Sequence, residues 1–192
     1  MYAMVLPKIA PNTYQDILDL PEHLNGEIVD GELYAQARLA SPHANTASEI
    51  LAQIRSLFHA EPGGPKGPGG WQILMEPELH WGDNVFVPDL AGWRRERMPQ
   101  IPSAPYLEMS PDWICEVLSP STASRDRLLK CNHYARAGVG HVWLVDPELK
   151  TLEVLRLVDG FYSLVQGGIE RETGKFEPFQ SVETELGAWW MM

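Results

Sequence analysis

The sequence predicts a mixed α/β (α+β) architecture: one mixed β-sheet flanked by helices, with an N-terminal β-hairpin. Three observations predict it. A strand–helix–strand unit runs from Asp112 to Val145 and implies a right-handed crossover joining a parallel pair. Asp30-Gly31 and Gly82-Asp83-Asn84 each separate two apolar, β-prone runs, the signature of antiparallel hairpins. The segment "SPHANTASEILAQIRSLF" lines up Ile50, Leu51, Ile54, Leu57 and Phe58 in one apolar stripe, which needs another layer to pack against.

In chain order, "NTYQDILDLPEHLNG" reads as a short helix that Asn12 or Thr13 caps and Pro21 follows. "GEIVDGELYAQ" is the first hairpin, because Asp-Gly supplies the two positive-φ residues of a tight turn. The long helix begins at Ser41, with Pro42 in its first turn. "HAEPGGPKGPGG" is a loop, since its glycines and prolines neither continue a helix nor pair in a sheet. "WQILMEPELHW" and "VFVPDLAGWR" read as two strands of a second hairpin, and "RRERMPQIPSAPYLEMSP" as a charged, proline-rich loop. "DWICEVL" is a strand, and "SRDRLLKCNHYARAG" a helix begun by Ser121 or Thr122 and ended by Gly138. "HVWLVDP" and "TLEVLRLVDG" are two more strands, and the aromatic end of "FEPFQSVETELGAWW" is expected to dock on the body. The 192 residues, with no internal repeat, fit a single domain over 1–192.

Hydrophobic and charged contents of 44% and 21% are those of a globular protein. No apolar run approaches the roughly 18 residues of a membrane helix, so no membrane partner is expected. "MYAMVLPKIAPNTYQ" lacks a basic flank followed by a long apolar core, which argues against a secretory signal. Cys115 and Cys131 are too few for a disulfide framework or zinc site, and read as buried free thiols of a reducing cytoplasm. The net charge of -11 weighs against an extended nucleic-acid surface and suits a cluster of carboxylates around a divalent cation.

Asp89 in "VFVPDLAGW" and Glu116 in "WICEVLS" each end an apolar strand. An unpaired buried carboxylate costs several kcal/mol or takes up a proton, and two converging ones are tolerated around a cation. Strand alternation puts Ile114, Glu116 and Leu118 on one face. The residues alone also allow Asp89 to begin a turn after Pro88. Lys130, four residues after Asp126, allows an exposed helix pair worth about 0.3 kcal/mol. A helical stripe of Arg127, Lys130 and Tyr134 is expected beside an apolar one of Leu128, Cys131 and Ala135. His43 suits a phosphate contact or a helix cap, and no other histidine shows ligand spacing. Arg94, Arg95, Arg125 and Arg127 suit either a phosphate backbone or a solvated surface. No serine-hydrolase, nucleotide-loop or dinucleotide fingerprint occurs.

"PDLAGW" followed by "PDWICEVLSPSTASRDRLLKCNHYARAGVGHVWLVDPELKTLEVLRL" resembles the PD-(D/E)XK nuclease superfamily and, more narrowly, the Uma2 family of restriction-endonuclease-like proteins. The upstream "TYQDILDLPEHLNGEIVDGELYAQARLASPHANTASEI" is similar to that family's N-terminal half, and the resemblance covers roughly residues 12 to 186. It implies a restriction-endonuclease-like core and a metal-dependent endonuclease acting on DNA. Asp89, Glu116 and the Val117 carbonyl would ligate Mg²⁺ or Mn²⁺. Glu116-Val117-Leu118 lacks the lysine of the superfamily pattern, and Lys130 matches the position from which this family supplies it. Glu49 matches the acid of the superfamily's first core helix, and Glu76 is a further acid near the site. Homodimers follow by analogy. Acidic charge and the displaced lysine favour the alternative, a non-catalytic nucleic-acid- or protein-binding module on the same fold. If Lys130 is catalytic, Lys130→Ala is expected to abolish cleavage with little effect on folding.

Overall fold

The computed structural model of the protein describes residues 10–37, 41–65 and 67–191. Helix α1 (Tyr14–Leu18) starts at Thr13, where the Asp16 carboxylate accepts hydrogen bonds from the Thr13 amide (2.7 Å) and hydroxyl (3.1 Å). Strands β1 (Leu24–Val29) and β2 (Glu32–Ala37) form the expected hairpin. Its turn has φ of 52° at Asp30 and 80° at Gly31, the mirror-image geometry that matches strand twist. Helix α2 (Ser41–Phe58) buries Ile50, Ile54 and Phe58, the expected stripe.

The next segment departs from the sequence reading. In place of two long strands there are four: β3 (Trp71–Met75), β4 (Leu79–Trp81), β5 (Asn84–Phe86) and β6 (Leu90–Arg94). The tip, β4–β5, joins the first hairpin in a four-stranded sheet ordered β2-β1-β5-β4, while β3 and β6 belong to a six-stranded sheet. Pro77 and Pro88 interrupt both arms at facing positions, because neither has an N–H for a ladder. Glu76 adopts φ of 45°, which turns the chain from one sheet into the other.

Strand β7 (Trp113–Val117) leads through α3 (Ala123–Arg125), a π-helical turn (Asp126–Lys130) and α4 (Cys131–Arg136) into β8 (His141–Asp146). β7 and β8 pair in parallel, as the strand–helix–strand unit requires, and Gly138 ends the helical run at φ 77°. β9 (Thr151–Val158) and β10 (Phe161–Ile169) complete an order of β10-β9-β8-β7-β6-β3. The sequence reading omitted β10, although Asp159-Gly160 turns into it with φ of 50° and 85°. Two short strands, β11 (Thr173–Gly174) and β12 (Thr184–Glu185), precede a 3₁₀ turn, Leu186–Trp190.

Both faces of the six-stranded sheet are covered. One side packs Ile54, Trp71, Trp113 and Trp143 with Phe179 and Trp189 of the tail. The tail does dock: Trp189 Nε1 donates to Gln53 Oε1 at 2.9 Å, and Thr46 Oγ1 donates to the Trp189 carbonyl at 3.1 Å. The other side packs Ile114, Leu118, Tyr134 and Val142 with Phe86 and Leu79 of the small sheet. Among the described residues, no helix is long and apolar enough to cross a membrane.

Candidate active site

The register of β6 against β7 brings the two expected acids together. Gly92 pairs with Trp113, Ala91 with Ile114 and Leu90 with Cys115; one step further sets Asp89 opposite Glu116. Directly opposed residues point to the same face with Cβ atoms about 4.5–5.5 Å apart. Both side chains are buried and line one cavity of about 20 Å³, enough for a single water-sized occupant.

Asp89 is fixed at both oxygens. Its Oδ2 accepts the Val117 amide at 2.7 Å, and its Oδ1 lies 2.7 Å from His43 Nε2. His43 enters from the first turn of α2 and is itself buried; its Nδ1 has no hydrogen-bond partner among the described residues. Val117 lines the cavity.

Glu116 lies on the expected face with Ile114 and Leu118, both in the cluster that contains Tyr134. Its Oε1 accepts the Tyr134 hydroxyl and lies 2.8 Å from Lys130 Nζ. Lys130 Nζ is also 2.8 Å from Glu27 Oε1 and 3.7 Å from Asp126 Oδ1. Lys130 is only 2% exposed, so it is no solvated surface partner of Asp126. Both residues are inside.

The π-helical turn explains why the expected helical stripes are rearranged. An i→i+5 turn takes in an extra residue, so Asp126, Lys130 and Tyr134 share the inward side. Arg127 leaves that side to meet Glu153 at 2.6 Å, and Leu128 is 71% exposed where an apolar contact was expected.

Glu27, which the sequence reading did not single out, is the fourth acid. It is 3% exposed, and its Oε1 accepts the Val87 amide at 2.8 Å as well as facing Lys130. Its Oε2 lies 3.3 Å from Arg125 Nη2. The signal was available: Glu27 precedes Ile28-Val29 in an apolar strand, as Asp89 and Glu116 do in theirs.

The remaining expected residues fall as follows. Glu49 stands exposed on the outer side of α2, because His43, Ala47 and Ile50 take the inner side; it does not line the cavity. Glu76 is exposed too and contributes its amide to the Asp89 carbonyl at 2.9 Å. Arg125 lines the cavity, bonded to Gln36 at 3.1 Å and lying over the Tyr34 ring. Arg127 belongs to the outer surface. Arg94 lies over Trp71, and Arg95 pairs with Glu61 at 2.8 Å.

Four carboxylates (Glu27, Asp89, Glu116, Asp126) thus face two permanent cations, Arg125 and Lys130. Burial pushes the Glu116 carboxyl up to about 8 against the downward pull of Lys130, with Asp126 and Asp89 adding to the rise. Burial raises Asp126 as well, again opposed by Lys130. For Lys130 burial favours the neutral amine, but three carboxylates outweigh it and hold the ammonium protonated. Burial and Glu116 keep the Tyr134 hydroxyl well above its ordinary range.

No group of three or more His, Cys, Asp and Glu is spaced to hold a metal among the described residues. The cavity is lined by three carboxylates, those of Asp89 and Glu116 on adjacent strands and that of Asp126, with the His43 ring already bonded to Asp89. Mg²⁺ commonly takes one or two carboxylates and keeps water or phosphate for the rest of its octahedron, so the donor set fits a hard divalent cation.

The crystal structure of a "putative nuclease belonging to DUF820" from Anabaena variabilis ATCC 29413 superposes with a TM-score of 0.73 at 22% identity, over 94% of this chain and 100% of that one. At that identity the likeness establishes the fold. No curated protein matches. Residues 12–187 match the model of the Uma2 family, described as "Putative restriction endonuclease", and the chain belongs to that family.

Proposed function

We propose that the protein is a metal-dependent endonuclease that hydrolyses phosphodiester bonds in DNA, using Mg²⁺ or Mn²⁺ held by Asp89, Glu116 and the Val117 carbonyl. The observation that carries this reading is the excess of four buried carboxylates over two fixed cations, Arg125 and Lys130, at the cavity. A bound cation would relieve that excess, and when bound it supplies Lewis-acid polarisation of a phosphoryl oxygen and a more acidic water.

The chain's own residues do the rest. His43 and the Val117 amide fix the Asp89 carboxylate from two sides. Tyr134 orients Glu116 by its hydroxyl. Lys130, kept protonated, presents positive charge where the pentavalent phosphate gains negative charge. Glu27 and Asp126 position Lys130 and do not meet substrate themselves. Membership of a family described as "Putative restriction endonuclease" supports the substrate class. Two copies acting on the two strands of a duplex make a homodimer the economical assembly. Free, buried cysteines at 115 and 131 suit the cytoplasm.

One observation favours a second reading, a non-catalytic binding module. The arginines beside the site are already engaged with Glu27, Glu61 and Glu153, which leaves few to meet a phosphate backbone. Incubation of supercoiled plasmid with the protein and Mn²⁺ tests both. The nuclease reading expects nicking by the wild type and none by Asp89→Ala; an inert wild type across divalent ions would favour the binding module.

A further inference from the structure

The two edges of the six-stranded sheet are treated differently. At the β3 edge, side chains of α2 and of the residue after it close the ladder: the Ile73 amide donates to His59 Nδ1 at 2.8 Å, and the Arg55 guanidinium donates to the Ile73 carbonyl at 2.5 Å. At the β10 edge nothing comparable occurs. Apart from the ladder with β9, the backbone from 161 to 168 makes no hydrogen bond to other backbone among the described residues.

An open edge is a liability that proteins blunt with charges, prolines or a covering segment. β10 reads "FYSLVQGGI", without a proline, acid, lysine, arginine or histidine, in a chain that is 21% charged. Its first half is apolar and outside: Phe161 is 77% and Leu164 64% exposed. The second half is obstructed. The ladder shifts register between Leu164 and Gln166, Gln166 bonds the backbone at Lys175 and Glu177, and a Cβ on Gly168 would meet Leu186 and Phe176. The usable edge is therefore Phe161 to Leu164.

We propose that this edge pairs antiparallel with the same edge of a second copy of the chain, joining two six-stranded sheets into one. An antiparallel edge is complementary to itself about a two-fold axis. That axis stands perpendicular to the sheet and opposed residues share a face, so it passes through a residue; centring it on Ser163 sets Tyr162 of one copy opposite Leu164 of the other. Two bodies of net charge -11 repel, so contact needs a strip that carries no charge of its own, and this strip does. Growth stops at two copies because the β3 edge is closed by α2. The inference gives an interface to the homodimer proposed above, but no residue of the cavity enters it, so plasmid nicking and dimerisation stand or fall separately.

Sedimentation velocity of the full chain at tens of micromolar tests it. The expected mass is twice 21.6 kDa. The double substitution Phe161→Lys with Leu164→Lys, at exposed positions, is expected to weaken dimerisation at least tenfold. Met75→Lys, 44% exposed on the closed edge, is expected to leave it unchanged. Hydrogen exchange on the wild type gives a measurement independent of any variant: amides at 161–164 should gain protection as concentration rises. A monomer throughout, a dimer indifferent to the double substitution, or open polymers would each overturn the proposal.

Discussion

Replacing Lys130 by alanine is the most informative single change. Read as half of an exposed i,i+4 pair, Lys130 would contribute about 0.3–0.5 kcal/mol. The structure instead sets its ammonium, 2% exposed, within 2.8 Å of both Glu27 and Glu116 and 3.7 Å from Asp126. Removing it takes the ammonium from three buried carboxyls, of which Glu27 keeps Arg125 as a partner, and breaking a buried ion pair in this way costs about 3–5 kcal/mol. For a chain of this length that is roughly 6–20 °C in Tm. The sequence-based expectation that folding would be little affected is therefore revised. The loss should also depend on pH. Without Lys130 the Glu116 and Asp126 carboxyls lose the pull that opposes their rise, so the native variant binds more protons than the unfolded chain, and its stability falls as pH rises. Urea unfolding of both proteins at about pH 5 and about pH 8.5 reads this directly, with the gap widest at the alkaline end. A gap of a few tenths of a kcal/mol at both pH values would refute the argument and restore the exposed pair.

Wild-type stability should itself decline with pH: Glu116 sits at about 8 against an ordinary 4.5, so its contribution is complete below the lower value and lost on rising through the upper one. Glu116→Gln should flatten that part of the profile, as measured by denaturant midpoints across the range. Glu49→Ala, at an exposed site outside the cavity, should change stability by less than about 0.5 kcal/mol and leave any plasmid nicking intact; lost nicking would return Glu49 to the site. Trp189→Ala should cost about 3–5 kcal/mol, because the ring is fully buried and bonded to Gln53; thermal unfolding checks it.

Much of the fold was legible where local and global signals agree. Asp30-Gly31 sits between β-branched and aromatic residues and has one conformational solution, which the structure adopts. The crossover from β7 through the helix to β8 follows from handedness and length. The misreadings came where a long-range choice overrides a local pattern. "WQILMEPELHW" is apolar throughout, but its two halves serve different sheets, and only Pro77 facing Pro88 hinted at the break. β10 was overlooked although Asp159-Gly160 is as strong a turn signal as Asp30-Gly31. Its exposed Phe161 and Leu164 blur the alternation by which a half-buried strand is recognised.

The site was legible to the extent that it obeys one rule, that a carboxylate in an apolar strand needs a partner. The rule found Asp89 and Glu116, and applied evenly it would have found Glu27. It does not reach Asp126 or Lys130, which lie in the π-helical turn and are buried there. The spacing of the pair fits an outward face as well as an inward one, and no residue in "DRLLK" announces the extra residue in the turn. The partner's identity is likewise set by tertiary structure. In sequence, Lys130 stands four residues from Asp126, 14 from Glu116 and 103 from Glu27, yet the two distant acids are the closer ones in space. A lysine displaced from the strand to the helix is thus held by more carboxylates than its neighbour in sequence could supply. That arrangement ties the charge state of the cavity to the stability of the whole crossover.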